Sequence, residues 1–247
     1  MRFWVGLGFF SLLLAAACVG DGKRDIRDYY FPVEELRRGQ VYEYDLAQGD
    51  SSSPEYWYYR TFQRDSGLFL AGTYYDSRFQ IGQIIREKIV KEGVLAREYS
   101  LYDPDFETGK QIQTNAVIES PDLFPFRVKD STGVSVFSLH YRPAADPSTT
   151  IYLTRQRIFL GDAPAFEMHG MVYPCVRFGL VESIGTRKVG DAAISGRGEE
   201  WYAKGLGLVY YRKTFGSKEN RVTFEYRLKD VFPMSELEKK AEAFFGE

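Results

Sequence analysis

Glu167-Met168-His169-Gly170-Met171, followed closely by Cys175, gathers thioether, imidazole and thiol donors that would suit a soft cation such as Cu(I). Their spacing does not repeat, so the plainer expectation is a loop entering a strand, with Cys175 buried as a small hydrophobe. Asp103-Pro104-Asp105-Phe106-Glu107-Thr108-Gly109 offers carboxylates as a calcium loop does. Its glycine falls one place late and no glutamate closes the pattern, so a solvated acidic turn is expected. Glu199-Glu200 would serve as acid and base, except that neighbours on a strand project to opposite faces and cannot flank one bond. His140, between Leu139 and Tyr141, has no serine or cysteine nucleophile motif to serve. There is no glycine-rich phosphate loop, no GxSxG elbow and no HExxH. The sequence therefore predicts a non-enzyme with no catalytic residue, no metal and no cofactor.

Cys18 is the residue with chemistry to do. Arg2 precedes an apolar run from Phe3 to Ala17, and Ala15, Ala16 and Ala17 stand before the cysteine. A charged start, an apolar stretch and small residues describe a secretory signal over 1–17. The run is shorter than the roughly 20 residues a membrane-spanning helix needs. Leu14-Ala15-Ala16-Ala17-Cys18 resembles the lipobox of bacterial lipoproteins. That resemblance implies a diacylglyceryl thioether on Cys18, cleavage before it, and acylation of the new amine. At about 0.8 kcal/mol per buried CH2, such acyl chains, palmitate among them, would hold the protein on a membrane. Val19, rather than Asp, follows the cysteine, and by the same resemblance the outer membrane is favoured over the inner. The alternative is an ordinary secretory signal whose cut falls near a cysteine.

The elements behind these residues read as strands. Residues 18–28 are short and polar, a tether with a reach of roughly 15–20 Å if flexible. From Tyr29 onward, alternating segments are punctuated by turn residues, the pattern of an all-β domain over 29–247. Arg221 to Leu228 alternates polar and apolar without a break, and Tyr42, Tyr44 and Leu46 share a face opposite Glu43 and Asp45. Phe137, Leu139 and Tyr141 repeat the pattern, as do Leu206, Leu208 and Tyr210. Phe79 to Lys91 fits either a strand or a helix face, and its β-branched isoleucines favour strand. Ser235-Glu236-Leu237-Glu238 has capping-box spacing and predicts a helix over 235–245, with Leu237, Ala241, Phe244 and Phe245 packing down.

Two stretches carry a family resemblance. Asp28-Tyr29-Tyr30-Phe31-Pro32 with Gly39-Gln40-Val41-Tyr42-Glu43-Tyr44, and Glu200-Trp201-Tyr202-Ala203-Lys204-Gly205-Leu206-Gly207-Leu208-Val209, resemble segments of bacterial envelope lipoproteins. These are of the LolA/LolB type or the DUF3108-like group. The resemblance implies a mainly β fold: a single curved antiparallel sheet, or an unclosed barrel, with the short helix at its carboxyl end.

Composition narrows the partners. Lysine plus arginine number 32 against 34 acidic residues, a net charge of −2, which gives no field for nucleic acid. Aromatics make up 16% of the chain, and Tyr56-Trp57-Tyr58-Tyr59 puts rings on both faces of one strand. Core packing accounts for most of them. The sharper expectation is a concave aromatic surface, using Tyr56, Trp57, Tyr58, Tyr59, Trp201 and Tyr202, that binds a hydrophobic ligand or lipid or lipoprotein cargo. The membrane, through the amino-terminal lipid, is the other partner. A scaffold contacting envelope proteins or polysaccharide is the alternative, and a hydrolase without a recognisable motif the third.

Overall fold

The structure, a computed structural model, describes residues 22–47, 53–105, 108–129, 133–186, 193–216 and 220–246. Cys18 and the leader lie outside the described residues. The strands are β1 (Arg24–Asp25), β2 (Gln40–Leu46), β3 (Glu55–Arg64), β4 (Gly67–Tyr75), β5 (Ile81–Val90), β6 (Gly93–Pro104), β7 (Gln111–Asn115) and β8 (Val117–Pro125). They continue with β9 (Arg127–Val128), β10 (Val134–Tyr141), β11 (Ile151–Met168), β12 (Met171–Thr186), β13 (Ala193–Ala203), β14 (Gly207–Phe215) and β15 (Val222–Phe232), before the helix α1 (Met234–Phe245).

The sheet is closed, which corrects the expectation of an open or unclosed one. Twelve strands form an antiparallel barrel whose neighbours follow chain order all the way round. β7 pairs with the far half of β6 and leads through Ala116 into β8, which pairs with the near half, so β7 and β8 form one stave. The ring is completed by β15 pairing with β2, from Tyr226 opposite Leu46 to Phe232 opposite Val41. Closure pairs the first and last long strands of the sheet, the general remedy for exposed edges in a large antiparallel sheet. Alternation within each strand reports which face is inward but not whether the first and last strands meet.

Residues 24–28, read from the sequence as tether, belong to the fold. β1 pairs with β9, Ile26 is fully buried, and the Ile26 amide donates to the Phe126 carbonyl at 2.8 Å. The chain from Ile26 to Leu36 then plugs one end of the barrel with Ile26, Tyr30, Phe31 and Leu36, all buried. Gly207 makes room for this plug. With φ of +90° it carries no side chain, and a Cβ there would stand 2.5 Å from the Phe31 ring. The Gly205 amide donates to Asp28 O at 2.8 Å and the Thr61 hydroxyl to Val33 O at 2.5 Å, so the plug is stitched to the wall by backbone as well.

The main core lies inside the barrel, and a small second core lies outside it. Tyr42, Tyr44, Phe137 and Leu139 point inward as their alternation predicts. The repeat at Leu206, Leu208 and Tyr210 does not hold. A register shift at Trp201/Tyr202 leaves Leu208 inside while Tyr210 packs on Trp201 outside. On the exterior, α1 lays Leu237 against Val41, Tyr56 and Phe232. It thereby buries Glu43, which Lys229 and Lys240 neutralise at 3.0 and 2.5 Å. Phe244 and Phe245, expected to pack down, remain half exposed beside Phe79. Elsewhere the outer wall carries Arg60, Arg86, Glu98, Arg197, Glu199, Arg212 and Arg227. Among the described residues no helix is long and apolar enough to cross a membrane.

Candidate functional site

Several strands carry a charged residue in phase with their buried, apolar positions. On β3, Glu55 shares the face of Trp57 and Tyr59; on β5, Glu87 shares that of Ile85. On β11, Arg155 and Arg157 sit between the inward Leu153 and Phe159. β12 adds Glu182 beside Leu180, β13 adds Glu200 beside Tyr202, and β14 adds Lys213 beside Tyr211. Because side chains two apart on a strand share a face, these groups have nowhere to go but the barrel interior. All but Glu182, which bonds Arg155 and Lys213, line a cavity of about 300 Å³ whose floor is the plug, through Tyr30 and Phe31.

The deepest pair is Arg157 and Glu200. Arg157 Nε stands 2.7 Å from Glu200 Oε2 and Nη2 stands 3.3 Å from Oε1, a two-pronged ion pair. Nη1 donates to Leu123 O at 3.1 Å, and the Tyr202 hydroxyl donates to Glu200 Oε2 at 2.9 Å. Burial alone would raise the Glu200 pKa; the guanidinium overrides it and holds the carboxyl at about 2.

Nearer the opposite end, Glu182 accepts from Arg155 Nε at 2.5 Å and from Lys213 Nζ at 3.4 Å. One carboxylate thus serves two cations. Burial, then the neighbouring Arg155, pushes the Lys213 pKa down. Side-chain exposure rises from 7% and 4% at Arg157 and Glu200 to 20% at both Arg155 and Lys213, so the cavity opens away from the plug.

The other two carboxyls are held differently. Burial raises Glu87 to about 7, against the lowering effects of the Tyr30 hydroxyl, which donates to it, and of the Arg157 charge nearby. Burial raises Glu55 as well, against the lowering effect of the Tyr211 hydroxyl bonded to it. The arrangement can hold opposite charges and hydrogen-bonding groups in an aromatic-walled space open at one end.

Of the aromatic residues singled out in the sequence, Trp57, Tyr59 and Tyr202 line this cavity. Trp57 stacks on Tyr59 with centroids 5.8 Å apart. Tyr56, Tyr58 and Trp201 face the other way. Tyr56 lies under α1, the Tyr58 ring covers Gly39, and Trp201 sits against Tyr210 on the outer wall. Glu199 and Glu200 do project oppositely: Glu199 pairs outside with Arg212 at 3.1 Å. His169 occupies the β11–β12 hairpin with φ of +51°, its Nε2 3.1 Å from Asp230, while Cys175 is buried and donates to Tyr173 O. His140 Nδ1 lies 3.0 Å from Glu119 on the next strand. In the acidic turn, the Gly109 amide and the Thr108 hydroxyl both bond Asp105.

Of the interior charges, only Glu200 figured in the sequence reading, as the residue facing away from Glu199. The signal was present in Leu153-Thr154-Arg155-Gln156-Arg157-Ile158-Phe159, where both arginines keep phase with Leu153 and Phe159 rather than with Thr154 and Gln156.

The fold has been seen before. A crystal structure of a provisionally described lipoprotein from Parabacteroides distasonis ATCC 8503 superposes with a TM-score of 0.51 at 17% identity, covering 82% of this chain and 97% of that one. A second, of a provisionally described exported protein with a YmcC-like fold from Bacteroides fragilis NCTC 9343, gives 0.49 at 15% identity, over 82% and 98%. No family model matches the sequence, and no curated protein is significantly similar to it. The first likeness supports the barrel architecture and does not single out the LolA/LolB or DUF3108-like groups.

Proposed function

We propose that this chain is a lipid-anchored, non-catalytic protein of the bacterial cell envelope that works by holding a small amphipathic molecule inside its barrel. The observation that carries the reading is the plugged, aromatic-walled cavity of about 300 Å³. That volume is at the lower bound of ligand pockets, roughly 300–1,000 Å³. The anchor rests on Cys18 and its lipobox-like surroundings. The lipoprotein description of the Parabacteroides protein agrees with it, and Val19 favours the outer membrane.

Anchoring would orient the barrel. From Cys18 to Arg24 the chain can reach at most about 20 Å, and Arg24 already belongs to the plug end. The plug would face the bilayer and the mouth would face away from it. Cargo would then exchange with the aqueous side, or with a partner docked there, rather than with the anchoring membrane.

Native mass spectrometry of full-length protein extracted from membranes tests the reading. A small molecule released in stoichiometric amount is the expected result. An empty barrel together with a stoichiometric protein partner would replace binding by a scaffold role. Palmitate labelling tests the anchor separately, since label that persists undiminished in Cys18→Ala would remove it.

A further inference from the structure

Each carboxylate inside the barrel already has a donor. Glu200 takes Arg157 and Tyr202, Glu182 takes Arg155 and Lys213, Glu87 takes Tyr30, and Glu55 takes Tyr211. Among the described residues Glu182 and Glu87 take theirs on one oxygen and leave the other open. The cations have donors to spare. A guanidinium has five N–H bonds, and Arg155 places only its Nε–H on a protein acceptor among the described residues. Lys213 lies over the Tyr211 ring and makes one long hydrogen bond, to Glu182 at 3.4 Å, and Glu182 is already bonded to Arg155. The hydroxyls of Tyr59 and Tyr74 and the indole N–H of Trp57, all lining the same cavity, have no protein acceptor among the described residues. None of these donors is sealed in. Among the described residues the buried side-chain atoms left without a partner are Asp45 Oδ1 and Arg177 Nε, neither of which belongs to a residue lining the cavity.

We propose that the barrel binds a small organic anion, a carboxylate on a body of about two aromatic rings, with its charged oxygens at Arg155 and Lys213. Three observations converge on it. The two cations share one oxygen of Glu182, so they stand together at the open end and a single incoming carboxylate can reach both. Arg155 and Lys213 keep most of their N–H bonds unspent, so a ligand that supplies acceptors there meets charged donors ready for it. Below the cations the walls are rings, Trp57, Tyr59, Tyr99, Phe124, Phe137 and Tyr202, which suit a flat apolar body. The space is about twice the roughly 150 Å³ void that holds one benzene, which sets the size and leaves no room for an intact diacyl lipid.

This inference rests on the cavity-binding reading and is separable from it. The test uses the full chain in lipid nanodiscs, with empty discs as the blank, and isothermal titration with 2-naphthoate and the isosteric, uncharged 2-naphthamide. The expected result is that naphthoate binds at least about tenfold more tightly, the scale of one charge-assisted bond. The preference should collapse in Lys213→Met and persist in Arg212→Met, which alters the outer face of the same strand. Equal affinities on the wild-type chain would overturn the anion assignment while leaving the cavity as a binding site, and that comparison needs no variant to fold. Binding of neither probe would also overturn it. If mass spectrometry then releases no small molecule either, the binding reading falls as well.

Discussion

Arg157 and Glu200 lie on strands that do not pair, β11 and β13, and meet across the full width of β12 with two N–H···O contacts at 2.7 and 3.3 Å. The pair braces three staves from within, at a depth where both side chains are nearly inaccessible. Removing one partner strands the other charge in a poorly solvated space. Glu200→Gln should therefore cost about 3–5 kcal/mol, whereas Arg157→Met combined with Glu200→Leu should cost much less, because no charge is left behind. Urea unfolding of the three proteins reads this directly. Equal losses for the single and double variants would mean that the bridge contributes as a link and not through uncompensated charge.

The same pair sets the acid limit. Glu200 is held at about 2, well below the ordinary 4.5. A depressed carboxyl stabilises the fold fully above its unfolded pKa, and that stability is lost as pH falls from about 4.5 toward 2. Unfolding midpoints should drop across this window in the wild type, and the drop should be shallower in the Arg157→Met/Glu200→Leu double variant.

Glu87 has the opposite sign. Its folded pKa is raised to about 7 from 4.5, by burial. The folded state therefore keeps a proton that the unfolded state releases, and stability declines as pH rises from about 4.5 to 7, then levels off. The decline is of order 3 kcal/mol in full. Glu87→Gln can still accept the Tyr30 hydroxyl and does not titrate. It should match the wild type near pH 4.5 and exceed it near pH 8. A constant offset between the two across that range would contradict the assignment.

At the plugged end, Gly207 and Phe31 should be coupled. Gly207→Ala forces a methyl to 2.5 Å from the Phe31 ring at a φ of +90° that side chains disfavour. A loss of about 2–4 kcal/mol is expected, combining overpacking with backbone strain. In a Phe31→Ala background the steric part vanishes and the loss should fall by about half. A double-mutant cycle on thermal unfolding measures the difference.

Outside the barrel, Leu237 is the buried anchor of α1. Leu237→Ala should cost about 2–4 kcal/mol and expose Glu43, with its lysine partners, to water. Hydrogen exchange should quicken in α1 and β2 while the Arg157 region on β11 remains protected. Uniform loosening of the whole barrel would show that the helix is integral to closure.

What the amino-acid sequence by itself determined is local. Alternation and turn residues made the strands readable, Leu237 and its neighbours made the terminal helix readable, and the opposite facing of Glu199 and Glu200 followed from strand geometry alone. Tertiary structure decided the rest. Whether β15 reaches β2 depends on the twist and tilt accumulated over a dozen strands, which no single segment encodes. Whether Glu43 is exposed depends on α1 arriving from nearly two hundred positions away. Arg155, Arg157, Glu182, Glu200 and Lys213 are scattered along the chain and acquire meaning only when four adjacent staves bring their charges together. A buried ion can be tolerated only beside its counter-ion, and which residues become neighbours is settled by closure of the barrel.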